Sequence, residues 1–161
     1  MRQVLATALA FAAGVLGFAL AGSAVVASGS SAAEQHSTDE AAIRDIVRAV
    51  DRLYNEGNSE ALAQVYAEAA DRRDAAGQHA KGRREVREMY ETIFRGRQSR
   101  RNGPDNQTRF DGDVRFLRSD VALVDGFYTL PDRRRGPYTL VITKDKKRWE
   151  IAAGRAGAVI P

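Results

Sequence analysis

Asp125 lies on a predicted strand face that is otherwise apolar, which makes it a candidate for acid–base chemistry. Alternate residues of a strand point to the same side. Asp125 therefore shares its face with three apolar residues, Val121, Leu123 and Phe127. A carboxylate there is costly unless it is paired, hydrogen-bonded or protonated. In apolar surroundings its pKa rises, and it can then move a proton at a carbon next to a carbonyl group.

Arg155 is the candidate partner of Asp125. It lies on the last predicted strand, and alternation puts it on the face of Trp149 and Ile151. If the two strands come together, Asp125 and Arg155 form an ion pair. That pair either binds a polar group of a ligand or has a purely structural role, and both interpretations stay open.

His79 is the only histidine inside the predicted domain, because His36 lies in the segment before it. An imidazole can act as acid or base near neutral pH, although a histidine in a surface turn needs no such role. No second histidine and no Asp/Glu cluster at ligand spacing accompanies it. The sequence therefore predicts no metal site.

Tyr54 and Tyr128 are candidate ligand contacts, since each sits at an apolar position of a predicted helix or strand. A buried tyrosine usually packs its ring in the core and satisfies its hydroxyl, which is the alternative for both. The chain has no glycine-rich phosphate loop, serine nucleophile motif or dinucleotide fingerprint. We therefore predict no cofactor.

Three helices are predicted before the strands begin. Ser37-x-x-Glu40 has the spacing of a capping box, and an apolar stripe follows until Gly57 ends the first helix. Ser59 is predicted to cap a short second helix. The apolar faces of the second and third helices are Leu62, Val65 and Tyr66, then Val86, Met89, Tyr90, Ile93 and Phe94.

Beyond an exposed loop at 95–107 the period of the apolar residues changes from about four to two. Four strands follow one another through short turns, which predicts an antiparallel meander. Helices that are separate from such a sheet indicate an α+β fold, with the helices packed on one face. The predicted strands cover 110–116, 121–130, 138–143 and 149–156.

Four stretches resemble the nuclear transport factor 2-like superfamily, which has a cone-shaped α+β fold also called cystatin-like. Among its branches, the chain is most similar to the SnoaL-like domains of the group named after SgcJ and EcaC. The resemblance covers residues 39–158. The stretches are DEAAIRDIVRAVDRLYNEGNSEALAQVYAEAAD, GQHAKGRREVREMYETIFRG, VRFLRSDVALVDGFYTL and YTLVITKDKKRWEIAAGRAG.

The resemblance implies that a curved sheet wraps around the long first helix and leaves a pocket open at one end. Relatives of this kind include isomerases, cyclases, dehydratases and non-catalytic binding modules, and they commonly form dimers through the outer sheet face. It also implies a first strand at 72–76, where charges replace the expected apolar residues. Asp74 falls close to the place where isomerase relatives carry a catalytic carboxylate.

The N-terminal segment predicts export. Residues 1–33 hold one charged side chain, Arg2, then an apolar run from Val4 to Val26 and small polar residues. This order is typical of a secretory signal, cleaved after Ala27 or Ala33, and leaves a domain at 38–161. The alternative is a retained membrane anchor, because the run is long enough to span a bilayer. The chain would then be secreted, periplasmic or held at the cell surface.

The charge of the chain excludes little but favours some partners. Its net charge is +4 and it has no cysteine, so the exported domain depends on its core rather than on disulfides. A net charge this small does not indicate that the chain binds nucleic acid. Three basic runs in predicted turns can contact an anionic membrane surface or remain solvated loops: Arg95–Arg101, Arg133–Arg135 and Lys144–Arg148.

These observations predict an exported domain that binds a small, largely apolar molecule. If it is an enzyme, Asp74, His79 or Asp125 would carry out proton transfer, cyclisation or hydration on a carbonyl-type ligand. The alternative is a non-catalytic homodimeric binding or assembly module of the same fold.

Overall fold

Two helices and a short helical turn precede most of the sheet. The computed structural model describes residues 28–98 and 107–160. Helix α1 covers Ser28–Glu56, α2 covers Ser59–Ala63 and α3 covers Gly82–Gln98. Gly57 ends α1 as predicted, and its φ of 71° is one that glycine adopts without strain.

The N-terminal bounds of the helices differ from the predictions. Helix α1 begins at least nine residues before the predicted cap Ser37, because the small and polar residues ahead of it continue the helix. Asn58, rather than Ser59, caps α2, and its side chain accepts a hydrogen bond of 2.9 Å from the amide of Ala61. The predicted helical position of Tyr66 is wrong, since a strand begins there.

All six strands belong to one curved, unclosed sheet, which confirms the predicted α+β class. The order across the sheet is β2-β1-β6-β5-β4-β3, with β1 and β6 parallel and all other pairs antiparallel. The strands are β1 Tyr66–Arg73, β2 His79–Lys81, β3 Arg109–Arg118, β4 Val121–Thr129, β5 Arg135–Asp145 and β6 Arg148–Ala156.

Polar side chains fix α1 across the concave face of the sheet, where the core lies. In the middle of α1, Oδ1 of Asp39 accepts bonds from Lys144 Nζ at 2.7 Å and Trp149 Nε1 at 2.9 Å. Near the end of α1, the Asn55 side chain exchanges bonds with the backbone of Thr108 at 2.7 and 2.9 Å. The part of the helix between Asp39 and Asn55 is thus tied to the sheet at both of its ends.

Strand β6 contains one extra residue. Val141 pairs with Ala153 and the next residue, Ile142, pairs with Ile151, so Ala152 has no partner on β5. A bulge of this kind reverses the alternation of the residues that follow. Trp149 and Ile151 are buried on the concave face, whereas Arg155 lies on the convex face. The predicted shared face of Arg155, Trp149 and Ile151 is therefore wrong.

Several sequence predictions concern residues that the structure does not describe. The predicted export segment lies outside the described residues except for 28–33, which are helical. Residues 99–101 of the first basic run also lie outside them, and its residues 95–98 continue α3 instead of forming the predicted turn. The other two runs span the β4–β5 and β5–β6 turns together with the adjoining strand residues. Within 28–98 and 107–160, no helix is both long and apolar enough to cross a membrane.

Candidate functional site

A cavity opens between α1, α3 and the concave face of the sheet. Its wall is mainly aromatic, with aliphatic contributions from Val50 and Leu140. Its volume is about 30 Å³, enough space for about two water molecules. It therefore has room for only a few heavy atoms. The aromatic residues of the wall are Tyr66, Tyr90, Phe110, Tyr128 and Tyr138.

Arg72 brings a positive charge to this wall. Its Nε donates to the hydroxyls of Tyr90 at 3.0 Å and Tyr66 at 3.3 Å, and its Nη1 lies 2.9 Å from Met89 Sδ. The two hydroxyls lie 2.8 Å apart. The guanidinium carbon is 4.4 Å from the centroid of the Tyr90 ring, a cation–π distance. Strand β1 and helix α3 therefore share one polar cluster at the cavity.

No carboxylate within the described ranges forms an ion pair with Arg72. Burial opposes its charge, but the oxygens of Tyr90 and Tyr66 outweigh this and hold the pKa of the guanidinium above its ordinary value. Burial also raises the pKa of Tyr90 well above its usual range, despite the neighbouring cation. At neutral pH the cluster therefore holds a charged Arg72 and a protonated Tyr90.

Tyr138 contributes a hydroxyl that is not satisfied. Its side chain is 6% exposed, and the hydroxyl has no hydrogen-bond partner in the described part of the chain. Burial raises the pKa of this phenol, and the charges of Asp111, Asp51 and Asp125 add to the rise. A buried hydroxyl without a partner is unfavourable. It is therefore a point at which a ligand can gain a hydrogen bond.

Tyr128 also lines the cavity, but its hydroxyl is occupied. It donates to the carbonyl of Gly157 at 2.8 Å. Burial raises the pKa of Tyr128, and Tyr54 and the charge of Asp74 add to that rise. The predicted ligand contact Tyr54 packs edge-on against Phe94 and Phe110 and does not line the cavity.

Asp125 lies on the convex face of β4, not inside the cone. Val124 and Tyr128 are buried, whereas Asp125 is exposed and accepts a bond of 2.6 Å from the Thr139 hydroxyl. Asp125 does share its face with Leu123 and Phe127, as predicted, but that face is the outer one. The predicted ion pair of Asp125 and Arg155 inside the cone is therefore wrong.

Arg155 and His79 instead meet at Asp71, near the edge of the sheet. Asp71 Oδ2 lies 2.6 Å from His79 Nε2, and its Oδ1 pairs with Arg155. The bond to His79, and then that to Arg155, lower the pKa of Asp71 more than burial raises it. Arg155 also borders the cavity. Its charge is compensated by Asp71.

Asp74 lies in the turn after β1, one residue beyond the strand. Its Oδ1 accepts bonds from the amides of Ala76 at 2.9 Å and Gln78 at 2.8 Å, which closes the turn into β2. The predicted strand at 72–76 is displaced, because β1 begins at Tyr66 and ends at Arg73. Asp74 therefore does not line the cavity, although it is close enough to influence Tyr128.

Sequence reasoning missed Arg72, Tyr66 and Tyr90 as site residues. The alternation of β1 could have identified Arg72. Ala70 and Arg72 face the concave side of the sheet, whereas Asp71 and Arg73 face the outer side. An arginine at an inward position of a strand is a candidate site residue in the same way as an inward carboxylate. In the described residues, no three His, Cys, Asp or Glu side chains come together to hold a metal ion.

Comparison with known proteins identifies the fold. No protein-family model and no curated protein matches the sequence. A solved domain of unknown function with a cystatin-like fold from Nostoc punctiforme is 28% identical, with 77% of this chain and 79% of that chain covered and a TM-score of 0.62.

Two more distant structures have the same fold. One is a protein similar to nuclear transport factor 2 from Novosphingobium aromaticivorans, with 15% identity, 80% and 86% coverage and a TM-score of 0.62. The other is a type 2 hexachlorocyclohexane dehydrochlorinase, with 12% identity, 80% and 93% coverage and a TM-score of 0.59. The fold therefore includes an enzyme as well as proteins without an assigned activity.

Proposed function

The chain has the cystatin-like fold of nuclear transport factor 2-like proteins, and from this premise we propose that it is a binding domain for a small molecule. The ligand places its polar head in the cavity on the concave face. The observation that supports this proposal is the hydroxyl of Tyr138, which has no partner among the described residues and lies in a wall built largely of aromatic and aliphatic side chains. Ligand sites are typically apolar cavities with a few well-placed polar groups.

The lining favours binding rather than catalysis. Among the described residues that line the cavity, none carries a carboxylate or an imidazole. Proton transfer is most often carried out by such a group within hydrogen-bond reach of the substrate. Burial raises the pKa of the lining phenols Tyr90, Tyr128 and Tyr138, which makes them poor bases at neutral pH. The candidates Asp125 and His79 lie on the convex face, and Asp74 closes a turn. The dehydrochlorinase with this fold does not by itself make this chain an enzyme.

The proposal is tested by closing the cavity. Ala156 lines it, whereas Ala69, on strand β1, is exposed at the surface. We expect Ala156→Trp to remove small molecules that co-purify with the protein, as detected by native mass spectrometry. The matched Ala69→Trp variant should retain them. If both variants retain the same ligand and both remain folded by circular dichroism, the cavity is not the binding site.

A homodimer is a second proposal, and it has its own observation. Leu123, Val141 and Ala153 pair across three neighbouring strands and form an apolar row on the convex face. A second copy of the chain is a suitable partner for such a row. We expect sedimentation to show a dimer that Val141→Lys converts to a monomer. A monomeric wild type would exclude the proposal.

A further inference from the structure

We propose that the cavity binds a small organic carboxylate, held by Arg72 and the hydroxyl of Tyr138. This inference rests on the proposed function, since it names the class of molecule that the cavity accepts. Its starting point is the unbalanced charge of Arg72.

Arg72 differs from the other arginines that pack into this fold. Arg83, whose side chain is 22% exposed, pairs with Glu68 at 2.9 Å and Glu150 at 3.3 Å. Arg155 pairs with Asp71. Arg72 has only neutral partners within the described residues, two phenols and a thioether. Arg72 is half-buried, and charges that are partly withdrawn from water are normally paired, so a site that keeps an unpaired cation is suited to an anion from outside.

The remaining donors of this cluster fit a carboxylate. The hydrogen bonds of Arg72 use Nε and Nη1, which leaves Nη2 without a partner in the described part of the chain. The Tyr138 hydroxyl is the second donor in the same wall. The planar guanidinium matches the two oxygens of a carboxylate, and such charge-assisted bonds are the stronger ones. Both donors therefore line the cavity in which the ligand is proposed to bind.

Size and charge distinguish a carboxylate from other anions. The volume of about 30 Å³ admits a head group of a few atoms. Arg72 supplies one uncompensated positive charge, because Asp71 neutralises Arg155. A monoanion balances it, whereas a phosphate dianion would leave a negative charge among aromatic rings. Val50, Leu140 and Phe110 provide an apolar wall for a short hydrocarbon substituent.

The test uses the purified protein and calorimetric titration. The probes are sodium propanoate, butanoate and benzoate, each paired with its neutral amide, together with inorganic phosphate. We expect at least one carboxylate to bind, its amide to bind at least roughly 10-fold more weakly, and phosphate not to bind. We also expect carboxylate affinity to fall as the pH drops below the pKa of the ligand acid.

Substitutions at Arg72 and Tyr138 test whether these two residues bind the carboxylate. Arg72→Met should weaken carboxylate binding by roughly 10- to 100-fold, and Tyr138→Phe by roughly 5-fold. Arg72→Lys keeps the charge if the methionine variant fails to fold, and it should retain part of the affinity. Arg73→Met is the matched control, because Arg73 is the next residue of the strand and faces outward. It should bind like the wild type.

The outcomes separate the two proposals. Equal binding of acids and amides, or unchanged binding by Arg72→Met, would overturn the carboxylate inference and leave the cavity as a site for neutral molecules. Phosphate binding alone would also overturn it. If no probe binds and closing the cavity with Ala156→Trp changes nothing that co-purifies, both proposals fail.

Discussion

Replacing Asp39 tests how the first helix is held on the sheet. One carboxylate oxygen, Oδ1, accepts hydrogen bonds from both Lys144 Nζ and Trp149 Nε1. Asp39→Ala removes the acceptor and the charge together. Asp39→Asn keeps an oxygen at the same place and removes only the charge. The pair of variants therefore separates the hydrogen bonds from the ion pair.

The structure gives the magnitude of each effect. The Trp149 side chain is 6% exposed, so its N–H finds no ready substitute when the acceptor is removed. An unsatisfied buried donor costs about 1–3 kcal/mol. The Lys144 side chain is 19% exposed and can turn to water, which limits the cost of losing the ion pair to about 1 kcal/mol. We expect Asp39→Ala to lower the free energy of unfolding by about 3 kcal/mol and Asp39→Asn by about 1 kcal/mol.

The pH dependence has a definite sign. Burial raises the pKa of Asp39, but its bonds to Lys144 and Trp149 outweigh burial and lower the pKa below its ordinary value. A carboxyl with a depressed folded pKa stabilises the protein above its unfolded pKa, about 3.9 for aspartate. That stabilisation is lost as the pH falls through the folded pKa. The difference between wild type and Asp39→Asn should therefore shrink in strong acid.

Urea unfolding followed by tryptophan fluorescence measures the free energy of unfolding and its pH dependence, because Trp149 is the only tryptophan of the chain. Titrations at neutral and acid pH give the free energies of wild type and both variants. A loss below about 1 kcal/mol for Asp39→Ala would refute the reasoning from an unsatisfied donor. A wild-type advantage over Asp39→Asn that persists unchanged in acid would refute the role of the charge.

Three further substitutions have defined outcomes. Gly126→Ala should destabilise the protein by about 3 kcal/mol in urea unfolding, because a Cβ there would lie 1.8 Å from the carbonyl oxygen of Asp111. Asn58→Ala should cost about 1 kcal/mol, since the cap of α2 is lost, and thermal unfolding would show it. Asp71→Asn should cost less than about 1 kcal/mol at neutral pH, because the side chain is 36% exposed. The bond from His79 lowers the pKa of Asp71, so this cost should vanish as the pH falls through the folded pKa, and a stability series from neutral to acid pH checks the sign.

The fold was largely predictable because its elements follow local rules. The change from a helical to a two-residue period near Phe110 located the meander, and short turns made its strands antiparallel neighbours. The start of α1 was less predictable, since small polar residues before Ser37 continue a helix as readily as they form a linker. Strand β1 was predicted too late because its apolar residues also fit the face of a second helix.

The site was harder to predict than the fold because it depends on which face each residue occupies. Asp125 was placed with the correct neighbours on β4, yet their face is the convex one. Alternation groups residues by side and does not say which side is covered. Arg155 was misplaced because nothing in its local sequence marks the bulge at Ala152. Arg72 was passed over because its charge argued against a dry pocket.

The extra residue at Ala152 also has a consequence for comparing this chain with its relatives. Before and after Ala152, the inward-facing residues of β6 fall on opposite members of the alternation. An alignment gap placed one position away would therefore match Gly154 with a position that Arg155 should occupy. The first pairs with Arg72 of β1 on the inside of the cone, and the second binds Asp71 on the outside. In evolutionary terms, losing one codon here would turn Arg155 from the convex face to the concave face without any substitution. Strand length alone can therefore change which side chains face the inside of the cone.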